Sequence, residues 1–197
     1  MTLHHKSQKK MIILIVIVGG LISLIVATIN LIQGKITLPV IEYITFLICI
    51  LAWYLARKDK LNIASFIVVI ELFVLYILTY YQGGVLNTGV VWVNIYPVIA
   101  IYLLGHKKGG IFSGALFMGI TALFVFNELT IISLPFNRSM SLATFFSYLV
   151  ISGFMFFFEM MRNKMNKKLE STNKEIENLS DISLQIGKSI EFDKVFE

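Results

Sequence analysis

Charge and cysteine are both scarce in this chain of 197 residues. Charged residues make up 15% of it and hydrophobic residues 57%, against about 25% and roughly 45–50% in soluble domains. The single cysteine, Cys49, excludes a disulfide or a thiolate cluster within the chain, and we expect it to be a small buried hydrophobe. A soluble fold of this size cannot bury so much apolar surface, so the composition predicts a membrane protein.

Enzyme motifs are missing as well. The sequence contains no glycine-rich phosphate loop, no nucleophile elbow and no kinase or cyclase signature. His4, His5 and His106 have no cysteine or carboxylate at the spacing of metal ligands. We therefore predict no metal, no cofactor and no catalytic residue among these residues.

Long apolar runs are what the sequence has in abundance. A helix of about 20 apolar residues crosses a bilayer, and six runs approach this length. They lie at residues 11–33, 36–56, 61–81, 90–105, 111–129 and 141–161. The predicted fold class is therefore all-α: a polytopic membrane protein with six transmembrane helices, whose main partner is the lipid bilayer.

Basic residues are distributed unevenly between the segments that join these runs. If residues 1–10 are cytoplasmic, the outer loops hold only Lys35 and Arg138. The inner segments hold Lys6, Lys9, Lys10, Arg57, Lys58, Lys60, Lys107, Lys108, Arg162, Lys164, Lys167 and Lys168. The positive-inside rule then predicts a multi-pass protein of the plasma membrane with both termini in the cytoplasm. Because this bias accounts for most of the net charge of +5, we predict no nucleic-acid partner.

Glu71 is the carboxylate that lies deepest in a predicted span. It is ten residues from either end of 61–81, and no predicted span contains a Lys or Arg to pair with it. An ionised carboxylate at that depth costs on the order of 2.5–3.5 kcal/mol on insertion scales. Glu71 is thus either a ligand-binding or proton-responsive group, or a neutral partner in a structural hydrogen bond. Glu42, Glu128 and Glu159 lie nearer to span ends, where we expect them to extend toward the membrane interface.

The most irregular part of the predicted membrane region is YQGGVLNTGVVWVNIYP, residues 81–97. Its glycines predict an outer loop, and Pro97 removes one amide donor and frees the carbonyl of Val93. Irregular backbone within a membrane occurs where protein buries it or where it lines a cavity. We therefore predict a ligand pocket that opens to the outer side. The candidate ligand-binding residues are Glu71, Asn94, Tyr96 and Pro97.

Four short motifs follow one another between residues 81 and 110: GG at 83–84, NTGVVW at 87–92, YP at 96–97 and LLGHKKG at 103–109. This order resembles the six-helix membrane region at the N-terminus of bacterial diguanylate cyclases and sensor histidine kinases, although Gln82 stands where that pattern has threonine. The resemblance implies a sensory input module over about residues 1–165, with an unknown stimulus and with no catalytic residues of its own.

The chain becomes polar after the last predicted span, and a heptad pattern continues across residues 162–186. Its aliphatic seam consists of Met165, Leu169, Ile176, Leu179 and Ile186. Such a seam predicts a two-stranded signalling helix and hence a homodimer; a solvated helix without a partner is the alternative. Gly187 ends the pattern, and residues 187–197 look like the start of a GAF-like cytoplasmic domain.

Together these features favour a membrane sensory module of a bacterial signal-transduction protein. A stimulus would pass through the sixth span and the signalling helix to an output domain of the diguanylate cyclase or histidine kinase type. A small transporter or channel component is the main alternative, in which Glu71 and the broken fourth span would contact substrate. A membrane scaffold without a ligand is a third hypothesis.

Overall fold

The computed structural model describes residues 3–34, 36–84 and 88–195, with side chains from residue 9 to residue 184 within those ranges. The described backbone is all-helical, as predicted. Its elements are α1 (Leu3–Ile32), α2 (Thr37–Arg57), α3 (Leu61–Gln82), α4 (Gly89–Trp92), a 3₁₀ segment (Val93–Ile95), α5 (Tyr96–Glu128) and α6 (Arg138–Val195). The chain divides into two units, Met1–Phe157 and Phe158–Glu197.

Five helical stretches of the described residues are long and apolar enough to cross a membrane. They are Lys9–Ile32, Thr37–Arg57, Leu61–Gln82, Gly89–Glu128 and Arg138–Leu184. Four of the predicted spans each overlap one of these stretches. The predicted fourth and fifth spans, 90–105 and 111–129, share the 40 residues of Gly89–Glu128.

This shared stretch is interrupted at Gly105, which has a φ of 79° and a ψ of 169°. Such a conformation is essentially restricted to glycine. Gly109 then packs against the backbone of Ala100 and Ile101, where an added Cβ would clash with the Ala100 carbonyl oxygen. In an uninterrupted helix, residues 100 and 109 would be about 13.5 Å apart along the axis. The chain therefore reverses direction at Gly105.

The part of this stretch before Gly105 runs antiparallel to α3. Gly89 lies against the carbonyl of Thr79, close enough that a Cβ would clash there. Further along, the Tyr96 hydroxyl donates to the carbonyl of Val69 at 3.3 Å. Gly89 thus lies beside the later residue Thr79 and Tyr96 beside the earlier residue Val69, which is the pattern of two antiparallel segments.

The part after Gly105 runs parallel to α3. Phe112 meets Phe66 edge to face, with ring centroids 5.5 Å apart. One to two turns later, Gly119 lies beside Ile77, and a Cβ on this glycine would come within 3.1 Å of the isoleucine Cδ1. The two arms that meet at Gly105 therefore pack against α3 in opposite directions.

Pro97 lies in the first turn of α5, where the missing N–H has no helical partner to lose. The 3₁₀ segment just before it tightens the backbone, and the N–H of Tyr96 bonds to the carbonyl of Val93. The expectation that Pro97 leaves this carbonyl free is therefore wrong. The tighter i→i+3 bond supplies the donor that an α-helical pattern would have lost.

Specific polar contacts fix the ends of the first helices. The Lys9 ammonium forms an ion pair of 2.6 Å with Asp59, in the turn between α2 and α3. In addition, Lys9 donates to the carbonyl of Arg57 at 3.4 Å. These contacts bring the start of α1 to the same end of the bundle as the α2–α3 turn.

The outward surface of the first unit is strongly apolar. Ile111 is 73% exposed and Phe154 is 72% exposed, and many further Leu, Ile, Val and Phe side chains on α1, α2 and α3 are also exposed. Contiguous apolar surface of this extent is foreign to soluble monomers. It suits helices whose outer faces contact lipid.

The second unit, Phe158–Glu197, belongs to a single helix over its described residues. The predicted seam residues Met165, Leu169, Ile176 and Leu179 are all exposed, and Ile186 lies outside the described side chains. The α-helix continues through Gly187 to Val195. Of the expected GAF-like segment, the side chains of 187–195 and all of 196–197 lie outside the described part of the chain.

Glu159 in this unit is 1% exposed. Its carboxylate forms an ion pair of 2.8 Å with Arg162 and accepts a hydrogen bond of 3.3 Å from Asn163. The expectation that Glu159 extends outward is therefore wrong. Arg162, one turn later on the same helix, pairs with its charge instead.

Candidate functional site

A cavity of about 440 Å³ lies in the first unit. Its walls are α1, α2, α3 and the segment that carries Trp92, Ile95 and Ile99. This volume falls within the roughly 300–1,000 Å³ of typical small-molecule sites. The lining is mostly aliphatic. Its main polar side chains are Ser23, Glu42, Thr45, Glu71, Tyr76 and Thr79.

Helical periodicity brings these polar groups to the cavity. On α2, Glu42, Thr45 and Cys49 are three and then four residues apart, which places them on one face. On α3, Glu71 and Leu75 share a face for the same reason. Each helix therefore turns one narrow, partly polar stripe inward and leaves its aliphatic residues to face outward.

Thr45 links α2 to α3 through Glu71. Its Oγ1 is 2.6 Å from Oε1 of Glu71 and 3.0 Å from the carbonyl oxygen of Ile41 on its own helix. A hydroxyl has a single hydrogen to donate. With Glu71 ionised, Thr45 donates to the carboxylate; with Glu71 protonated, Glu71 donates to Thr45, which donates to Ile41. The link between the helices is thus complete in either protonation state.

Glu42 links α2 to α1 through Asn30. The Asn30 Nδ2 donates to both carboxyl oxygens, at 3.0 Å and 3.1 Å. Asn30 is fully buried and Glu42 is 5% exposed. The expectation that Glu42 extends toward the interface is therefore wrong, because its carboxyl group points into the bundle and is held there by an amide.

The cavity has acidic groups but lacks basic ones. Glu42 and Glu71 come from adjacent helices, and none of the described residues that line the cavity is Lys, Arg or His. Removing a carboxylate from water without a compensating cation is costly. The electrostatics of this site therefore favour protons or positively charged groups over anions.

The four candidate ligand-binding residues occupy different places. Glu71 lines the cavity, whereas Asn94, Tyr96 and Pro97 are not among its lining residues. The Asn94 Oδ1 accepts a hydrogen bond of 3.2 Å from the Ser147 hydroxyl. Tyr96 and Pro97 are buried, and Tyr96 bonds to α3 as described above. Their segment supplies Trp92, Ile95 and Ile99 to the cavity instead.

Five of the main polar residues of the cavity did not emerge as ligand candidates from the sequence: Ser23, Glu42, Thr45, Tyr76 and Thr79. Ser23 and Thr45 are common residue types in membrane helices, and Glu42 lies close to a helix start. One sequence feature could have predicted that Glu42 faces inward: polar residues occur at matching positions on either side of the short α1–α2 turn. Asn30 and Glu42 are 12 positions apart, flanking the α1–α2 turn, and this spacing brings two consecutive antiparallel helices into register.

A metal centre has no basis in the described side chains, which contain no group of three or more His, Cys, Asp or Glu placed to hold an ion. Recognition of a small molecule is the chemistry that the cavity does support. It combines a large apolar wall with a few polar groups from three helices, which is the usual composition of such sites.

A sequence model of the MASE6 family matches residues 2–169. The chain belongs to the MASE6 family of membrane-associated sensory domains. The matched range contains every cavity-lining residue and both carboxyl groups. Membership confirms the coarse prediction of a membrane sensory region, and it places the MASE6 helices at a membrane. No curated protein and no solved structure matches the chain.

Proposed function

We propose that this MASE6 chain is the membrane input module of a bacterial signal-transduction protein, and that the cavity between α1, α2 and α3 receives its stimulus. The observation that carries the proposal is a cavity of about 440 Å³ with two inward carboxyl groups inside a membrane-associated sensory domain. Glu71 is the central ligand-binding residue. Asn94, Tyr96 and Pro97 position the segment that supplies Trp92, Ile95 and Ile99.

The proposed topology has six spans with both termini in the cytoplasm of the cell. The reversal at Gly105 supports two spans within Gly89–Glu128, because its two arms run in opposite directions beside α3. The ion pair between Lys9 and Asp59 supports a shared side for the start of α1 and the α2–α3 turn. Lys107 and Lys108 lie two and three residues after Gly105, as the positive-inside rule requires of a cytoplasmic turn.

Output passes through a dimeric signalling helix over residues 162–186. The exposed apolar side chains at Met165, Leu169, Ile176 and Leu179 support this step. Outside the membrane such a seam would face water, and pairing with a second helix would bury it. The helix leads to a GAF-like domain and to catalysis of the diguanylate cyclase or histidine kinase type. Those parts are supported by the sequence resemblance alone.

A fusion protein tests this function. The whole chain is joined to the catalytic domain of a diguanylate cyclase, and cyclic dinucleotide is measured in cells at equal expression. Gly19→Leu fills the cavity, since Gly19 lines it and a Cβ there meets nothing within 4 Å. Gly114→Leu is the matched control, because Gly114 has the same free space but does not line the cavity.

We expect Gly19→Leu to shift the output several-fold and Gly114→Leu to leave it at the parent level. Unchanged output in both variants, with both proteins inserted in the membrane, contradicts the sensory role of the cavity. The transporter hypothesis then becomes the better account of Glu42 and Glu71.

A further inference from the structure

The cavity opens on the outward surface of the bundle. Several of its lining residues are themselves exposed and therefore form its rim: Leu14, Val18 and Ile22 on α1, and Trp92 and Ile95 on the segment before α5. The α1 residues recur every four positions and so form one stripe along the helix. Every rim residue is apolar. A rim of this kind in a membrane contacts lipid chains, so the route into the cavity leads from the bilayer.

The interior of the cavity is set up to receive hydrogen-bond donors. Glu42, Glu71 and Ser23 come from three different helices. Ser23 is 8% exposed, and its side chain lines the cavity. A hydroxyl and two carboxyl groups in a cavity wall can all accept hydrogen bonds from a group that the cavity takes up.

A ligand ammonium matches this arrangement. It brings three N–H donors and a positive charge, and the described lining holds two carboxyl groups without any basic residue. An anionic headgroup would bring a further negative charge into a cavity whose described lining has no cation to pair with it. A purely apolar molecule would leave the carboxyl groups and the Ser23 hydroxyl without a new partner. The remaining wall, which is aliphatic, suits a short hydrocarbon body.

We infer that the cavity binds an amphipathic amine from the bilayer, with its ammonium group at Glu71 and its apolar body along α1. This inference rests on the proposed function in one respect: it takes the cavity between α1, α2 and α3 as the site that receives the stimulus. An amine that crosses the rim in its neutral form can take the proton of a neutral Glu71 carboxyl, and the resulting ion pair then adds no net charge to the membrane. Thr45 keeps its bond to Glu71 through that transfer.

Cys49 offers a reporter that needs no engineering. It is the only cysteine in the sequence, and it lines the cavity on the same helix face as Thr45. The full chain in phosphatidylcholine nanodiscs is treated with N-ethylmaleimide, and the rate of Cys49 modification is followed by mass spectrometry. Octylamine, octanol and octanoate serve as probes with one chain length and three headgroup charges; octylamine is cationic at neutral pH, as a lysine side chain is.

The same comparison is made with thermal unfolding as a second readout, because a molecule that binds only the folded state raises its stability. Glu71→Gln is the test variant, since glutamine keeps the size and a hydrogen bond to Thr45 but not the charge. Glu128→Gln is the control, because Glu128 does not line the cavity and lies 3.9 Å from Arg138 instead. Rates are compared with and without probe within each variant, so that differences in basal thiol reactivity cancel.

We expect octylamine to protect Cys49 and to raise the unfolding temperature at concentrations about tenfold below those that octanol needs, with no effect of octanoate. The factor corresponds to one charge-assisted hydrogen bond. Glu71→Gln should abolish the difference between octylamine and octanol, and Glu128→Gln should preserve it. Equal action of octylamine and octanol on the parent chain overturns the inference, as does an undiminished octylamine preference in Glu71→Gln.

Protection without any probe that grows with protein density also overturns it, because a second copy of the chain would then be the occupant. The binding test is independent of signalling output. If the amine does not bind but Gly19→Leu still shifts the output of the cyclase fusion, the ligand class is wrong and the sensory role stands. If Gly19→Leu has no effect either, the proposed function fails as well.

Discussion

Thr45 on α2 and Glu71 on α3 are joined by a hydrogen bond of 2.6 Å between their side-chain oxygens. The bond lies in the wall of the cavity, so the same carboxyl group that holds two helices together is also available to an occupant. In a membrane the hydrophobic effect does little to hold helices against each other, and interhelical hydrogen bonds carry more of that task. Stability and recognition are thus coupled at this pair.

Removing the Thr45 hydroxyl should weaken the bundle measurably. We expect Thr45→Val to lower the free energy of unfolding in detergent by about 0.6 kcal/mol, and by no more than about 1.7 kcal/mol, the range found for hydrogen bonds between membrane helices. Thr28→Val is the control, because Thr28 is exposed and bonds only to the carbonyl of Leu24 on its own helix. Equal losses in the two variants would show that the interhelical bond contributes nothing.

Glu71→Lys should impair membrane insertion. A lysine near the middle of α3 costs about 2.5–3.5 kcal/mol on insertion scales. Once Glu71 is replaced, Glu42 is the carboxyl group left among the described lining residues, and Asn30 already binds it. Insertion is measured as the glycosylated or protease-protected fraction in a translocation assay. Glu71→Gln should insert normally, and a Lys variant that inserts as well as the parent would refute the position of Glu71 near the middle of a membrane span.

The close approach at Gly109 should tolerate no side chain. Gly109→Val forces a clash with the Ala100 carbonyl, and we expect it to destabilise the fold by about 1–3 kcal/mol or more, as overpacking does. Gly114→Val is the control, since a Cβ at that position meets nothing within 4 Å. The measurement is the free energy of unfolding in detergent, and equal stability of the two variants would contradict the reversal.

Topology reporters examine the same reversal in cells. Fusions after Lys60 and Lys108 should report cytoplasm, and fusions near Leu86 and Asn137 should report the outside. A reporter after Lys108 that gives an outside signal would reject two spans within Gly89–Glu128.

The signalling helix should cross-link along its seam. Single cysteines at Leu169, Ile176 or Leu179, introduced in a Cys49→Ala background, should form disulfide dimers in membranes, because a and d positions face each other across a two-stranded coil. Cysteines at Lys168 and Asn178 lie off the seam and are the controls. Uniform cross-linking at all five positions, or none at any, would reject the dimeric helix.

The helical stretches were predictable because the rule behind them is local. A bilayer demands about 20 apolar residues in a row, and the runs at 11–33, 36–56, 61–81 and 141–161 satisfy it from their own composition. The start of α6 is equally local, since Asn137 accepts the Met140 N–H at 2.8 Å as an N-cap residue does.

The wall of the cavity was less predictable because it depends on which helix faces which. Nothing within α2 reveals that Glu42 turns toward Asn30 rather than outward, since that choice is made by the packing of α1 on α2. Glu71 could be singled out because its depth alone makes it costly. The three residues at 94, 96 and 97 mark an irregular backbone correctly, but an irregular backbone and a binding surface need not be formed by the same side chains.

The two polar contacts of α1 have a mechanical consequence. Lys9 binds Asp59 near one end of this helix, and Asn30 binds Glu42 near the other. The helix α1 is therefore held at two points, and the cavity lies along the part between them. An occupant of the cavity that presses on α1 should therefore bend the helix and not tilt it. We expect the bend to be largest midway between Lys9 and Asn30, at Gly19 and Gly20. A glycine pair is also a place where helices bend readily.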